Sequence, residues 1–559
     1  MRMKNNLKKI NPMSNFSGIG SNLNNDILTG ITLGIIALPL ALAFGQISQL
    51  GPISGIIGAI CGGIFGALFG GCKFSVSGPT APSANQISAL LGVFVVGASN
   101  QPDLMSIFSI IILSGIVMIF LSLLNISHLI HFIPYSVVAG FMCGIGILVV
   151  IGQLNSFFGL EKTFNTFVNI STYLSSLNNN VLFVGLPSLF LMFFWPKIKF
   201  FVKIPSPLVT LIFGTSVSLF FNFDLPTVGD QFNSSINNEI FKLYIPDFSR
   251  ISEFIFPSIT LAGLIIIDSL LTCMIADNLT ETKHVSDREV FGQGIANIFS
   301  GLLGGVSIAT ATMFTVSNIK FGGKTIIPSV IYGLTLFGIL IGFKSVVAVI
   351  PTTCISAILI KVGFDILDYR ILPILKKLPI LDLFIFGIVL FITIKYNLMI
   401  AVFIGVMIAL IGSIKDLKNI IQNQTNHKSV PFFKSKFAPK EDTKMVKSQK
   451  SQINVLQLKG ALFFGSTKSL MSFLISLPKH AILIIDLEDV PRIDLTGIYA
   501  LEDFVRNEEK KGNQVLVVNA QRGVKNLLKK LNFIKMNERD IYFESTQSIR
   551  KYIQNKILF

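Results

Sequence analysis

The sequence predicts a polytopic α-helical membrane protein with a small soluble α/β domain at its C-terminal end, and three observations predict it. Of the 559 residues, 51% are hydrophobic and only 14% charged, where a soluble chain carries roughly 25% charged residues. The apolar residues gather in runs near the ~20 residues a helix needs to cross a bilayer. Between Ile27 and Leu160 the only formally charged residues are Lys73 and Asp103. From Ile453 onward the pattern turns to alternating strand and helix. A soluble enzyme of this length needs polar surface for several domains, and that surface is missing. The net charge of +16 lies outside the apolar runs. A nucleic-acid binder, with its basic residues on a soluble face, is therefore excluded, as is a disordered chain.

Residues 1–26 are basic (Arg2, Lys4, Lys8, Lys9) and lead into a full apolar run. No cleaved signal peptide is expected, because no short apolar stretch with a small-residue cleavage site follows. A membrane domain over 27–414 then reads as spans at 27–45, 52–70, 80–96, 104–124, 132–152, 181–197 and 205–222. The second set reads 255–276, 289–303, 310–318, 326–343, 345–363, 381–396 and 398–414. These are fourteen spans in two sets of seven, and the third of each set is short and broken by Gly, Pro or Thr. Lys197, Lys199 and Lys203 follow the sixth span, and Lys376 and Lys377 follow the twelfth. The excess of positive charge places these loops with the N-terminus in the cytoplasm. An odd-numbered set followed by its copy makes 7+7 inverted repeats, with both termini cytoplasmic.

Residues 415–451 form a basic linker rich in Ser, Asn, Gln and Lys. Its charge suits anionic lipid headgroups, and also follows from ordinary positive-inside bias. Over 452–559, INVLQLKG, AILIIDLED and NQVLVVNA read as strands, while STKSLMSFLISL, LTGIYALEDFVRNEEKK and RGVKNLLKKLNF read as helices. The five cysteines show no metal-ligand spacing and are expected to be packing residues. Gly55, Gly58, Gly62, Gly63 and Gly66 in the second span are expected to allow close helix packing.

The short third spans carry the functional expectation. GGCKFSVSGPTAPSA reads as an extended stretch over Cys72–Ser77, broken at Gly78–Pro82, then a helix. GGVSIATATMFTVSN repeats the plan with an extended Val306–Ile308 and a helix opened by Ala309–Thr312. Inverted copies turn the N-termini of two half-helices toward one another. Each N-terminus offers unpaired N–H groups and about half a positive charge, so the pair forms an anion site without Arg or Lys. A small oxyanion is expected between the turn at Thr80 and Ala81 and the turn at Thr310, Ala311 and Thr312. Asp268 is the lone carboxylate in the middle of the eighth span, where an ionisable residue marks an ion or proton path. Thr272 shares its helical face. Asp268, Thr272, Thr310 and Thr312 offer hard oxygen ligands for sodium; the alternative is protonation of Asp268.

TLGIIALPLALAFG, FSVSGPTAPSA and IDSLLTCMIADN resemble the SulP (sulfate permease) anion transporters, nearly end to end, and the tail with its IDLTG resembles their STAS domain. ADNLTETKH, REVFGQGIANIFSGLLGG and GGKT look most like cyanobacterial sodium-dependent bicarbonate transporters. The resemblance implies a core (spans 1–4 and 8–11) and a gate (spans 5–7 and 12–14), elevator-type movement, and a homodimer assembled through the STAS domains. It implies the plasma (inner) membrane of a bacterium, sodium at residues matching Asp268, Thr272, Thr310 and Thr312, and bicarbonate at residues matching Thr80, Ala311 and Thr312. The sequence departs at Thr310, where those transporters carry Gly, and at Gly78, where the family usually has an acidic residue. Thr496 matches a phosphorylated position of STAS relatives and is a regulatory candidate; as a helix N-cap it has a simpler role. No phosphate-binding loop and no catalytic constellation occur, so a non-enzyme without cofactor is expected. A proton-coupled sulfate or dicarboxylate carrier, and a non-transporting sensor or docking protein, are the other readings.

Overall fold

The computed structural model describes residues 22–96, 101–124, 134–160, 178–198, 206–230, 243–246, 250–280, 282–342, 344–367, 377–395, 398–412, 428–431, 453–462, 482–510, 512–531 and 542–543, with a few isolated positions. Helix is present at each of the fourteen apolar segments. The first set is α1 (Leu23–Ile47), α2 (Pro52–Phe69), α3 (Ala81–Leu91), α4 (Leu104–Leu123), α5 (Tyr135–Phe158), α6 (Asn179–Phe194) and α7 (Ser206–Phe220). The second is α8 (Ile251–Thr280), α9 (Ser286–Leu302), α10 (Thr312–Lys320), α11 (Ile327–Gly342), α12 (Thr352–Ile366), α13 (Ile380–Lys395) and α14 (Leu398–Gly412). Among the described residues, six helical stretches are long and apolar enough to cross a bilayer by length and composition. Burial follows the inside-out logic of a membrane protein. Phe120, Phe220 and Phe403 face outward while Glu289, Gln293 and Asn297 are fully buried.

Two short strands precede the half-helices: β1 (Ser77–Pro79) before α3 and β2 (Ile308–Thr310) before α10. The first strand therefore starts five residues later and ends two later than the expected Cys72–Ser77, and the second lies two residues later than the expected Val306–Ile308. Proline explains the first shift. Pro79 ends the strand and Pro82 occupies the first turn of α3, where a missing N–H costs nothing.

Contacts gather the chain into two units, Met1–Ile130 with Met142–Leu367, and His131–Phe141 with Asp368–Phe559. In the first, α9 lies along α4 and α11 along α1. The glycines of α2 let it press against the broken segments: a Cβ at Gly58 would meet the Val306 carbonyl at 2.8 Å, and one at Gly62 the Ser77 carbonyl at 2.7 Å. Here α2 loosens into a π-helical turn over Gly62–Gly66.

The second unit holds the start of α5, the pair α13 and α14, and a five-stranded sheet. Its strands are β3 (Lys428–Pro431), β4 (Ile453–Lys459), β5 (Ile482–Asp489), β6 (Gln514–Val518) and β7 (Tyr542–Phe543), in that spatial order. The pairs β4–β5, β5–β6 and β6–β7 are parallel, and β3 joins the edge antiparallel. Helices α15 (Leu495–Lys510) and α16 (Arg522–Lys530) cover an apolar core that includes Leu456, Leu483, Ile485, Leu501, Val517 and Leu528. The segment read as linker thus contributes an edge strand, Lys428 pairing with Gln457. The rest of that linker, apart from Ser435, and the helix expected over 466–477 lie outside the described residues.

Gly62→Ala should lower stability by about 1–3 kcal/mol through overpacking against backbone. Gly338→Ala, whose Cβ meets nothing within 4 Å, should be neutral or stabilising. Thermal unfolding of both purified variants checks the contrast.

Candidate anion and cation site

The two breaks meet. β1 and β2 pair antiparallel with Ser77 opposite Thr310, Gly78 opposite Ala309 and Pro79 opposite Ile308. The Ala311 N–H donates to the Val76 carbonyl at 2.9 Å, and the Val76 N–H donates to Thr315 Oγ1 at 3.1 Å. Antiparallel pairs alternate between bonded and non-bonded, so Ser77 and Thr310 form a non-bonded pair whose N–H and C=O groups point outward. On that outward edge the Thr310 N–H donates to Ser269 Oγ of α8 at 3.1 Å. The Thr310 carbonyl shares this edge and faces α8.

Helix α8 runs past both half-helix starts. Its Asp268 carboxyl interacts with the hydroxyl of Thr80, the residue before α3. One turn on, Thr272 Oγ1 lies 2.6 Å from Thr312 Oγ1, at the first residue of α10. Asp268 and Thr272 are about 6 Å apart as i,i+4 neighbours, so the two N-termini open onto a common space. Ala311 leaves the start of α10 without a side-chain cap. At α3, Ser83 occupies itself locally: its hydroxyl accepts from the Thr80 N–H at 3.3 Å and contacts the Ser307 carbonyl at 2.9 Å. Asp268 Oδ2 is buried with no hydrogen-bond partner among the described residues. Such an oxygen calls for a cation or a proton.

Thr310 behaves differently from its three companions. Its hydroxyl is committed to α9, donating to Glu289 Oε1 at 2.7 Å and accepting from Gln293 Nε2 at 2.9 Å. Gln293 also reaches Ser77 Oγ at 2.6 Å, and Glu289 Oε2 accepts from the N–H groups of Gly71 and Cys72 at 2.7 and 3.0 Å. Further along α9, Asn297 donates to the Ile308 carbonyl and accepts from the Ile308 N–H. Glu289, Gln293 and Asn297 lie on one face at intervals of four and pin both strands. The sequence reading missed them, although three buried polar residues at that spacing in an apolar span were the available signal. At Gly78, the room for a side chain is taken: a Cβ there would lie 2.9 Å from Tyr332 Oη.

Thr496 is not the N-cap of α15. Asp494 caps that helix, its Oδ1 accepting the Gly497 N–H at 2.7 Å. Two residues further on, Thr496 Oγ1 accepts the N–H of Tyr135, the first residue of α5, at 3.0 Å. The Tyr135 and Tyr499 rings lie 4.5 Å apart. The Asp382 carboxyl in the first turn of α13 interacts in turn with the Leu495 N–H and Arg492. Each side thus supplies an oxygen to a helix start of the other.

Broken helices whose starts meet beside Asp268, Thr272 and Thr312, with a C-terminal α/β sheet domain, define a class of helical membrane transporter. The sulfate permease family profile matches residues 23–389 and the STAS domain profile residues 444–549, and the chain belongs to the sulfate permease family. It is 33% identical over 527 residues to the bicarbonate transporter BicA of Picosynechococcus sp., covering 92% of each chain. It is 26% identical over 546 residues to the putative sulfate transporter YvdB of Bacillus subtilis, covering 94% of this chain and 96% of that one. The solved transmembrane domain of a cyanobacterial BicA matches with a TM-score of 0.59 and 32% identity, over 68% of this chain and 97% of that one.

Thr310→Ala should cost about 1–3 kcal/mol by leaving Glu289 and Gln293 underbonded, which melting curves of the purified variant measure. Thr496→Val should speed amide exchange at Tyr135 and leave α15 protected, measured by hydrogen exchange with mass spectrometry.

Proposed function

We propose that the protein is a sodium-coupled bicarbonate importer of the bacterial plasma membrane, and the observation that carries this reading is the convergence of Asp268, Thr272 and Thr312 on two half-helix N-termini. Bicarbonate lies between them, held by the N–H groups of Ala81 and Thr312 and by the Thr80 and Thr312 hydroxyls, with Ala311, whose own N–H is bonded to Val76, small enough to let the ion approach the backbone. Sodium lies beside it on the Asp268 carboxylate, the Thr272 and Thr312 hydroxyls and the Thr310 carbonyl. The similarity to cyanobacterial bicarbonate transporters supports the choice of anion.

Electrostatics supplies the coupling. An unneutralised Asp268 about 6 Å from the anion opposes it by ~3 kcal/mol at an effective dielectric of ~20. Sodium removes that penalty, worth about a hundredfold in anion affinity, and by reciprocity the anion favours sodium equally. The loaded site then moves with the core (spans 1–4 and 8–11) against the gate (spans 5–7 and 12–14), in a fourteen-span fold of inverted repeats. In the same reading both termini are cytoplasmic, the basic linker over 415–451 lies at the lipid surface, STAS domains over 452–559 join a homodimer, and a phosphate on Thr496 regulates it. A phosphate there would leave no room for the Tyr135 N–H.

A second reading, a proton-coupled sulfate carrier, is favoured by the likeness to the putative sulfate transporter and by the orphan Asp268 oxygen, which a proton satisfies as well as sodium. Uptake of labelled bicarbonate with and without sodium decides. Sodium should stimulate the wild type, and Asp268→Asn should abolish the stimulation. Sodium-independent uptake that strengthens as the outside is acidified, with competition by sulfate, would establish the second reading instead.

A further inference from the structure

A cavity of about 180 Å³ lies between α1, α3 and α5, beside the half-helix site and separate from it. Gln46, Gln49, Asn85, Ser88, Gln153 and Ser156 line it, and no Asp, Glu, Lys or Arg does so among the described residues. A wall of carboxamides and hydroxyls asks for hydrogen-bond partners, and each buried polar group left unpaired is costly. Several here are unpaired. Gln46 Oε1 and Asn85 Nδ2 are buried without a partner among the described residues, and Gln46 as a whole is 7% exposed. Gln153 Oε1 accepts from Ser356 Oγ at 3.3 Å, which leaves its NH2 group to donate.

The backbone shows a second sign. Gln49 has a φ of 61°, a left-handed conformation that few residues other than Gly, Asn and Asp adopt and that gathers at functional sites. Its Nε2 donates to Ser88 Oγ at 2.7 Å, tying the end of α1 to α3 at the cavity. Opposite, a Cβ on Gly152 of α5 would meet nothing within 4 Å. On α3, Ala81, Asn85 and Ser88 follow at i, i+4 and i+7, hence along one face. At 1.5 Å per residue, Ser88 is about 10 Å from the helix start at Ala81. The cavity and the half-helix site therefore share one side of α3.

We infer that this cavity is an accessory subsite in which a small monovalent oxyanion rests in hydrogen bonds on its way between solvent and the half-helix N-termini. An uncharged wall holds such an ion loosely, as transit requires. A divalent anion would need fixed positive charge to replace its stronger hydration. The identity of the ion as bicarbonate rests on the function proposed above; the existence of the subsite rests on the cavity.

Gly152 gives the test, in the full-length protein in membrane vesicles. The five native cysteines are buried, so in Gly152→Cys an impermeant methanethiosulfonate reagent reads the cavity alone. Labelling is expected, with bicarbonate slowing it and sulfate doing so less. Gly152→Leu, which fills the space, should raise the half-saturating bicarbonate concentration about tenfold, the loss of roughly one hydrogen bond to the ion, with the sodium requirement unchanged. Absent labelling, labelling indifferent to both anions, or wild-type half-saturation in Gly152→Leu would each overturn the subsite. Protection by sulfate alone would overturn a monovalent occupant. Should Gly152→Leu fail to reach the membrane, the cysteine labelling decides by itself. Sodium-independent uptake in the wild type counts against the proposed function and leaves the subsite standing.

Discussion

A helix interrupted at membrane depth must find partners for the backbone groups it exposes, since lipid offers none. Here two interruptions satisfy each other through the antiparallel pairing of Ser77–Pro79 with Ile308–Thr310. A ladder of three residue pairs is not stable by itself. It persists because α2, stripped of side chains at Gly58 and Gly62, presses on one side, and because the polar face of α9 bonds both strands on another. Everything with chemical consequence hangs on this arrangement. It aims the starts of α3 and α10, turns the Thr310 carbonyl toward α8, and commits the Thr310 hydroxyl to α9.

The two carboxylates flanking the ladder show how structure and function divide. Glu289 is fully buried, yet it accepts from the N–H groups of Gly71 and Cys72, the Thr310 hydroxyl and the Gln293 amide. Charge-assisted bonds of this kind are strong, and a carboxylate so supplied needs no ion. Asp268 has an oxygen with no protein partner. Burying charge without compensation costs several kcal/mol, so this oxygen, unlike those of Glu289, is left in need of a partner. The contrast separates a carboxylate fully bonded within the protein from one with an oxygen left over more sharply than their positions in the sequence do.

Much of this was legible before any coordinates, because the signals were local. Gly-Pro-Thr-Ala-Pro and Ala-Thr-Ala-Thr cannot continue a span, and Asp268 with Thr272 shares a face by spacing alone. What stayed hidden depends on tertiary partners. Thr310 looked like a companion of Asp268, and only the strand pairing shows its hydroxyl committed to Glu289. The stripe on α9 passed for ordinary variation within a span whose polar residues are few. Strand β3 was concealed by its length, four residues ending at Pro431 in a polar stretch. An edge strand needs little intrinsic preference, since the sheet beside it supplies the bonds. At Thr496 the local rule chose the wrong residue, because Asp494 stands two positions earlier and takes the cap.

With its own helix capped by Asp494, Thr496 is left to accept the first N–H of α5, while Asp382 of α13 attends the first N–H of α15. A capping bond is worth about 1 kcal/mol, so the reciprocal pair and the tilted tyrosine pair together contribute a few kcal/mol. That is the size of a typical coupling energy between sites, 1–3 kcal/mol. Losing it would shift an equilibrium about tenfold or more. The bonds are also directional, formed only when two helix starts are correctly opposed. An attachment of this kind ties the orientation of α15 to the starts of α5 and α13.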